Sequence, residues 1–168
     1  MSHRYHLFSR TLPCAVLGAF LGSGAAHAQQ QTVDNVTCRA GTLTVLAQAE
    51  KLLVWSLDHR GVTQGGDPKD PMQSFTQRCI GTVANVEGKL SANGWCRSVD
   101  SKTGDWTLVD WQGSDKPGFG TWSYRYGTGK FKGVTGGGTY EPLGPTRPVE
   151  AGTYQNCVRI KGTMTIPG

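Results

Sequence analysis

Beyond its first 28 residues the chain holds one histidine, His59, so any nucleophilic arrangement that needs an imidazole base must be built on it. Asp58 precedes it directly. On a strand these two side chains point to opposite faces, so no acid–imidazole contact is expected between them, and His59 reads as a surface or strand-end residue. Carboxylate pairs are equally sparse. Asp100 and Asp105 read as turn residues of "DSKTGD", which also lacks the alternating oxygen ligands of a calcium loop, and Asp105 with Asp110 is the other nominal pair. No C-x-x-C pair offers zinc a site, and no metal or cofactor is expected. The better-equipped candidates are Arg78 and Arg97 with Ile80 and Trp95, joined by Trp122 and Tyr124. Aromatic and aliphatic groups give apolar area to a ligand, and a guanidinium clamps a carboxylate.

The glycine-rich "GTGKFKGVTGGGTY" at 127–140 invites a phosphate-loop reading, which its spacing excludes. A G-x-x-x-x-G-K-[ST] loop ending at Gly129-Lys130 would need glycine at Tyr124 and a hydroxyl at Phe131. The dinucleotide pattern needs glycine at Lys132, and Gly136-Gly137-Gly138 is a poor helix start. The stretch therefore reads as turns and close backbone approach.

The segments that must position these residues belong to an exported chain. Arg4 and Arg10, the apolar "TLPCAVLGAFLG" and the exit "SGAAHA" form a secretory signal peptide, expected over residues 1–28, leaving a single domain over 29–168. The apolar run is too short to span a bilayer and none later is longer. Cleavage lowers the basic count from 17 to 15 against 12 acids, with no Lys/Arg run, so nucleic acid is not an expected partner. The product should be periplasmic or secreted. Cys38, Cys79, Cys96 and Cys157 remain, an even count that reads as disulfides with three connectivities open.

Short segments rich in Thr, Val, Trp and Tyr recur between glycine-bearing turns, at about 33–38, 42–47, 51–61, 73–84, 89–99, 106–112, 120–126, 136–141 and 154–165. Eight or nine strands predict an all-β sandwich or barrel. "LAQAEKLL" at 46–53 is the one stretch with a helical period. "VTQGGDPKDPMQ" at 62–73 and the proline-rich "EPLGPTRPVEAG" at 141–152 are long loops, of a kind that rims a barrel mouth.

A two-residue turn at Glu87-Gly88 sets the register of one hairpin: opposed residues sum to 175, as Cys79 and Cys96 do. Asn93-Gly94 is a competing turn that would break it. In the 175 register Cys79–Cys96 is a cross-strand disulfide, Cys38–Cys157 follows by elimination, and Arg78 faces Arg97 while Ile80 faces Trp95. Two opposed arginines repel unless an anion lies between them. Trp122, Tyr124 and Tyr126 share a second face, with Arg125 on its reverse.

"YGTGKFKGVTGGGTY" also resembles the G-x-G-[KR]-F-x-G-x-x-G segment of the allene oxide cyclase and dirigent group of β-barrels, and "GKLSANGWCRSVDSKTGDWTLVDWQG" resembles small exported bacterial proteins of uncharacterised function. The resemblance covers about residues 73–168. It implies an eight-stranded antiparallel barrel with an apolar cavity, often trimeric, whose plant members cyclise a fatty-acid epoxide or steer radical coupling. The group's glycines fall on Gly127, Gly129, Gly133 and Gly136 and its aromatic on Phe131, structural positions all; no catalytic residue is carried over. The function read from residues and resemblance together is an exported barrel that binds a small apolar or amphipathic molecule, such as a carboxylate. The alternatives are a cyclase or isomerase using the same cavity and a structural or interaction protein with a filled core, with binding favoured over catalysis.

Overall fold

In a computed structural model of the protein, which describes residues 28–65, 67, 69–144 and 146–168, eight antiparallel strands close into one barrel. They are β1 (Gln29–Ala49), β2 (Leu52–Gly65), β3 (Phe75–Val86), β4 (Lys89–Asp100), β5 (Trp106–Gly113), β6 (Gly120–Gly127), β7 (Thr135–Pro142) and β8 (Thr153–Ile166). Each strand pairs with its sequence neighbours, and β8 returns to β1, so no strand edge is left open. The expected signal peptide lies outside the described residues except for Ala28. No helix among the described residues is long and apolar enough to cross a membrane.

The hairpin register is the one the turn chemistry predicts. Glu87 (φ 54°) and Gly88 (φ 82°) both take the left-handed conformation that a two-residue hairpin turn demands, and the pairs run from Val86↔Lys89 through Cys79↔Cys96 to Phe75↔Asp100. Both expected disulfides form, Cys79–Cys96 within this hairpin and Cys38–Cys157 between the first and last strands. Asn93-Gly94 makes no turn; Gly94 sits mid-strand opposite Gly81.

Two expectations are corrected at the start of the chain. The helical turn at 46–53 is absent: β1 runs to Ala49, Glu50 and Lys51 turn, and β2 begins at Leu52, with a register shift between Val45 and Ala47. One helical turn closes few hydrogen bonds for the backbone it fixes, whereas pairing with β2 satisfies the whole segment. The expected strands 33–38 and 42–47 are one strand. Gly41, which lies between them, is a point of close approach, since a Cβ there would lie 2.2 Å from the Asp58 carbonyl oxygen on β2.

One end of the barrel is solid. Val33, Met72, Phe75, Phe131, Val134 and Met164 are buried there, with the Phe75 and Phe131 rings edge to face at 5.5 Å. Phe131 is delivered by a 3-10 turn over Gly129–Phe131, flanked by left-handed Gly129 (φ 50°) and Gly133 (φ 77°), so the glycine-rich stretch does the structural work its spacing implied. The β2–β3 loop plugs this end through buried Asp70 and Met72. The two long loops therefore do not rim one mouth. They lie at opposite ends, because β2–β3 and β7–β8 connections leave an up-and-down barrel on opposite sides.

Candidate functional site

Strand alternation sorts the side chains into an inner and an outer set. On β3, Phe75, Gln77 and Cys79 are buried while Thr76, Arg78 and Ile80 are exposed. Arg78, Ile80, Trp95 and Arg97 thus meet across the hairpin as expected, but on the outside of the barrel. Trp122 and Tyr124 are buried inside it. The six residues do not line one cavity, because a strand cannot turn both of its faces inward. Tyr126 departs from Trp122 and Tyr124 as well. A register shift between Leu108 and Val109 leaves Arg125 as the extra residue on β6, and Tyr126 emerges exposed, 5.3 Å from the Trp106 ring.

Within the barrel, toward the end opposite the Phe75–Phe131 core, lies a cavity of about 450 Å³. Its walls are largely apolar, with Trp55, Leu57, Val83, Val109, Trp111 and Trp122 among them, and Phe119 stands in it from the β5–β6 loop. The room exists because Gly81 and Gly94 face each other below Trp111. A Cβ on either would come within 2.3 Å and 2.5 Å of the indole. Trp111 Nε1 is buried and has no hydrogen-bond partner among the described residues.

One wall is polar. His59, expected at the surface, is 1% exposed and faces the interior from β2, opposite Cys79 of β3. Its Nδ1 lies 2.8 Å from the Tyr154 hydroxyl of β8 and its Nε2 3.5 Å from Nη1 of Arg39 on β1. Burial first, and the Arg39 charge second, push the imidazole down to about 3, so it is neutral. Asp58 points outward to Arg78, as the opposite-face argument requires. Arg39 Nε donates to Asn156 Oδ1 at 2.8 Å, and Arg39 forms no salt bridge among the described residues. Burial also raises the Tyr154 phenol and pushes that of Tyr140, another cavity residue, up to about 12. Both phenols therefore keep their protons. The Cys79 and Cys96 sulfurs lie within 4.8 Å of the imidazole, but their disulfide offers no thiolate to a metal.

This arrangement can hold a mostly apolar molecule and offer it a guanidinium, a phenol and a neutral imidazole at one end. Arg39, Tyr140, Trp111 and Tyr154 were not singled out from the sequence. The signal was alternation: with Cys38 bonded on one face of β1, Arg39 had to lie on the other.

No family model matches the chain. No curated protein matches it either. Among solved structures, the pterocarpan synthase dirigent protein GePTS1 aligns with a TM-score of 0.57 at 10% identity, over 95% of this chain and 100% of that one. The pterocarpan synthase dirigent protein PsPTS1 aligns with a TM-score of 0.52, also at 10% identity, over 83% of this chain and 97% of that one. At such identity the likeness is one of fold: an eight-stranded barrel similar to those of dirigent proteins, as the glycine-rich segment implied.

Proposed function

We propose that the protein is exported to an oxidising compartment and binds a small, mainly apolar molecule inside its barrel, oriented by hydrogen bonds at the Arg39–His59–Tyr154 wall. The observation that carries this reading is the 450 Å³ interior cavity itself, apolar on most sides and polar on one. Ligand sites have this size and this division of labour. The likeness to two barrels named as pterocarpan synthase dirigent proteins supports it. The two disulfides support export.

A second reading, cyclisation or isomerisation of the bound molecule, is favoured by one contact. Tyr154 and neutral His59 are hydrogen-bonded in a desolvated site, where hydrogen bonds from the phenol, the imidazole and Arg39 can polarise a bound carbonyl or epoxide oxygen.

Native mass spectrometry of protein purified from its own host should show a retained small molecule, absent from Ala92→Phe, which fills the cavity from β4. Titration with 1-naphthol should saturate in the parent and fail in the variant. Loss in neither would leave a filled interior as the better description. Once a molecule is identified, Tyr154→Phe separates binding from turnover: a turnover defect with retained affinity marks the enzyme.

A further inference from the structure

The outer face of the barrel carries a groove of about 1290 Å³ that the interior reading does not use. Five of the seven arginines among the described residues border it, Arg125 and Arg159 being the exceptions, and no Asp, Glu or Lys does. Arg39 borders it only from within the wall, its guanidinium being turned to His59 and Asn156. The others are placed by register. Arg60 of β2 opposes Arg78 of β3, which opposes Arg97 of β4, a row of three guanidinium groups on adjacent strands. Such strands are about 4.8 Å apart, so the row spans roughly 10 Å. Arg147 joins it from the β7–β8 loop, which is tied beside the groove by hydrogen bonds from Leu143 N to the Cys157 carbonyl and from Val149 N to Gln155 Oε1.

Like charges directly opposed on a sheet repel, and little here relieves them. Asp58 pairs with Arg78, through two hydrogen bonds of 3.0 Å and 2.7 Å, and reaches Arg60 only through its charge, without a hydrogen bond. Among the described residues Arg97 has only the Trp106 ring, 4.9 Å from its guanidinium carbon. Arg60 and Arg147 have no salt bridge among the described residues. The neighbouring row is apolar and uncovered: Ile80 is 51% and its partner Trp95 46% exposed, with Val62 at 47% on the other side of the arginines. Arginine in place of lysine suits a planar oxyanion, and large exposed apolar side chains beside it mark a contact surface.

We propose that this groove is a second site, independent of the interior cavity, for a single-chain amphiphile with an oxyanion head. Arg60, Arg97 and Arg147 hold the head, and Ile80 and Trp95 carry the chain. Charge selects the head, since the border offers arginines and no carboxylate. The apolar row selects a tail over a bare inorganic anion.

The test is a titration of 15N-labelled protein with decanoate below its micelle threshold, following the arginine Nε–H signals and the Trp95 indole. Saturable shifts of Trp95 and of Arg60 or Arg97 are expected, with acetate and 1-decanol at least tenfold weaker. The Arg60→Gln/Arg97→Gln variant should lose about tenfold or more in affinity, and added salt should weaken the parent. Should that variant fail to fold, Arg147→Gln on the loop is expected to lose several-fold. Three outcomes overturn the proposal: shifts confined to the interior Trp111 and Trp122, equal affinity for decanoate and 1-decanol, or unchanged affinity in the folded variants.

Discussion

The hydroxyl of Tyr154 and Nδ1 of His59 meet 2.8 Å apart inside the barrel, although 95 residues separate them in the chain. β1 lies between their strands and brings Arg39 to the other imidazole nitrogen, so three strands converge on one ring.

That burial makes His59 an acid-sensitive element. Its imidazole titrates near 3 folded against an ordinary value of about 6.5, so between these limits the unfolded chain binds a proton that the native one does not. Stability should fall as pH drops from about 6.5 toward 3, by up to about 1.4 kcal/mol per unit from this group. Asp34, Asp58 and Asp100, all held below the usual carboxylate range by Arg159, Arg78 and Lys130, add their losses only further into acid. Denaturant unfolding between pH 6.5 and 4.5 isolates the His59 contribution. His59→Gln should flatten that slope, and an unchanged slope would place the acid sensitivity elsewhere.

Gly81→Ala should destabilise the barrel by about 1–3 kcal/mol, the usual cost of overpacking, because the new methyl meets Trp111 at 2.3 Å. In a Trp111→Leu background the same substitution should cost less than it does alone, by the indole's share of the clash, while the Asn93 carbonyl oxygen at 2.4 Å remains. Thermal unfolding of the single and double variants measures the coupling, and additive losses would show that the indole is not the obstacle.

The disulfides should differ in effect. Cys38–Cys157 closes a separation of 119 residues and Cys79–Cys96 one of 17, so in the loop-entropy view the first constrains the unfolded chain more. Replacing Cys38 and Cys157 by serine should cost about 4–5 kcal/mol against about 3 for the other pair. Thiol titration of the denatured, unreduced protein should find none of these four sulfurs free.

Asp70 holds the plug of the solid end. Its carboxylate accepts from Asn35 Nδ2 at 3.3 Å, from the Asp34 backbone N–H at 3.2 Å and from that of Met72 at 2.8 Å. Asp70→Ala leaves Asn35 Nδ2 and the Met72 N–H buried without this partner and should cost about 1–3 kcal/mol. Hydrogen exchange should show faster amides at Met72 and Asp34, with the Glu87-Gly88 hairpin turn at the far end unaffected.

Much of the architecture was readable because it is local. A two-residue turn and the spacing of Cys79 and Cys96 determined one hairpin to the residue, and with it the meeting of Arg78 and Arg97. Glycine spacing around Phe131 announced turns, the resemblance added Phe131 as their aromatic, and turn chemistry at short intervals announced a barrel or sandwich. What local pattern does not contain is which face of a strand looks inward. That depends on how eight strands coil and close, a property of the whole sheet. Closure put Arg78, Ile80, Trp95 and Arg97 outside, Trp122 and Tyr124 inside, and turned a lone histidine with no apparent partner into the centre of a polar wall. It also chose between a helical turn and a strand at 46–53, since only a paired neighbour could satisfy that backbone. The sequence by itself determined the turn and pairing of the Glu87-Gly88 hairpin, which are set by residues close to one another. Inside and outside were decided by the tertiary structure, because burial is a sum over strands that meet only when the barrel shuts.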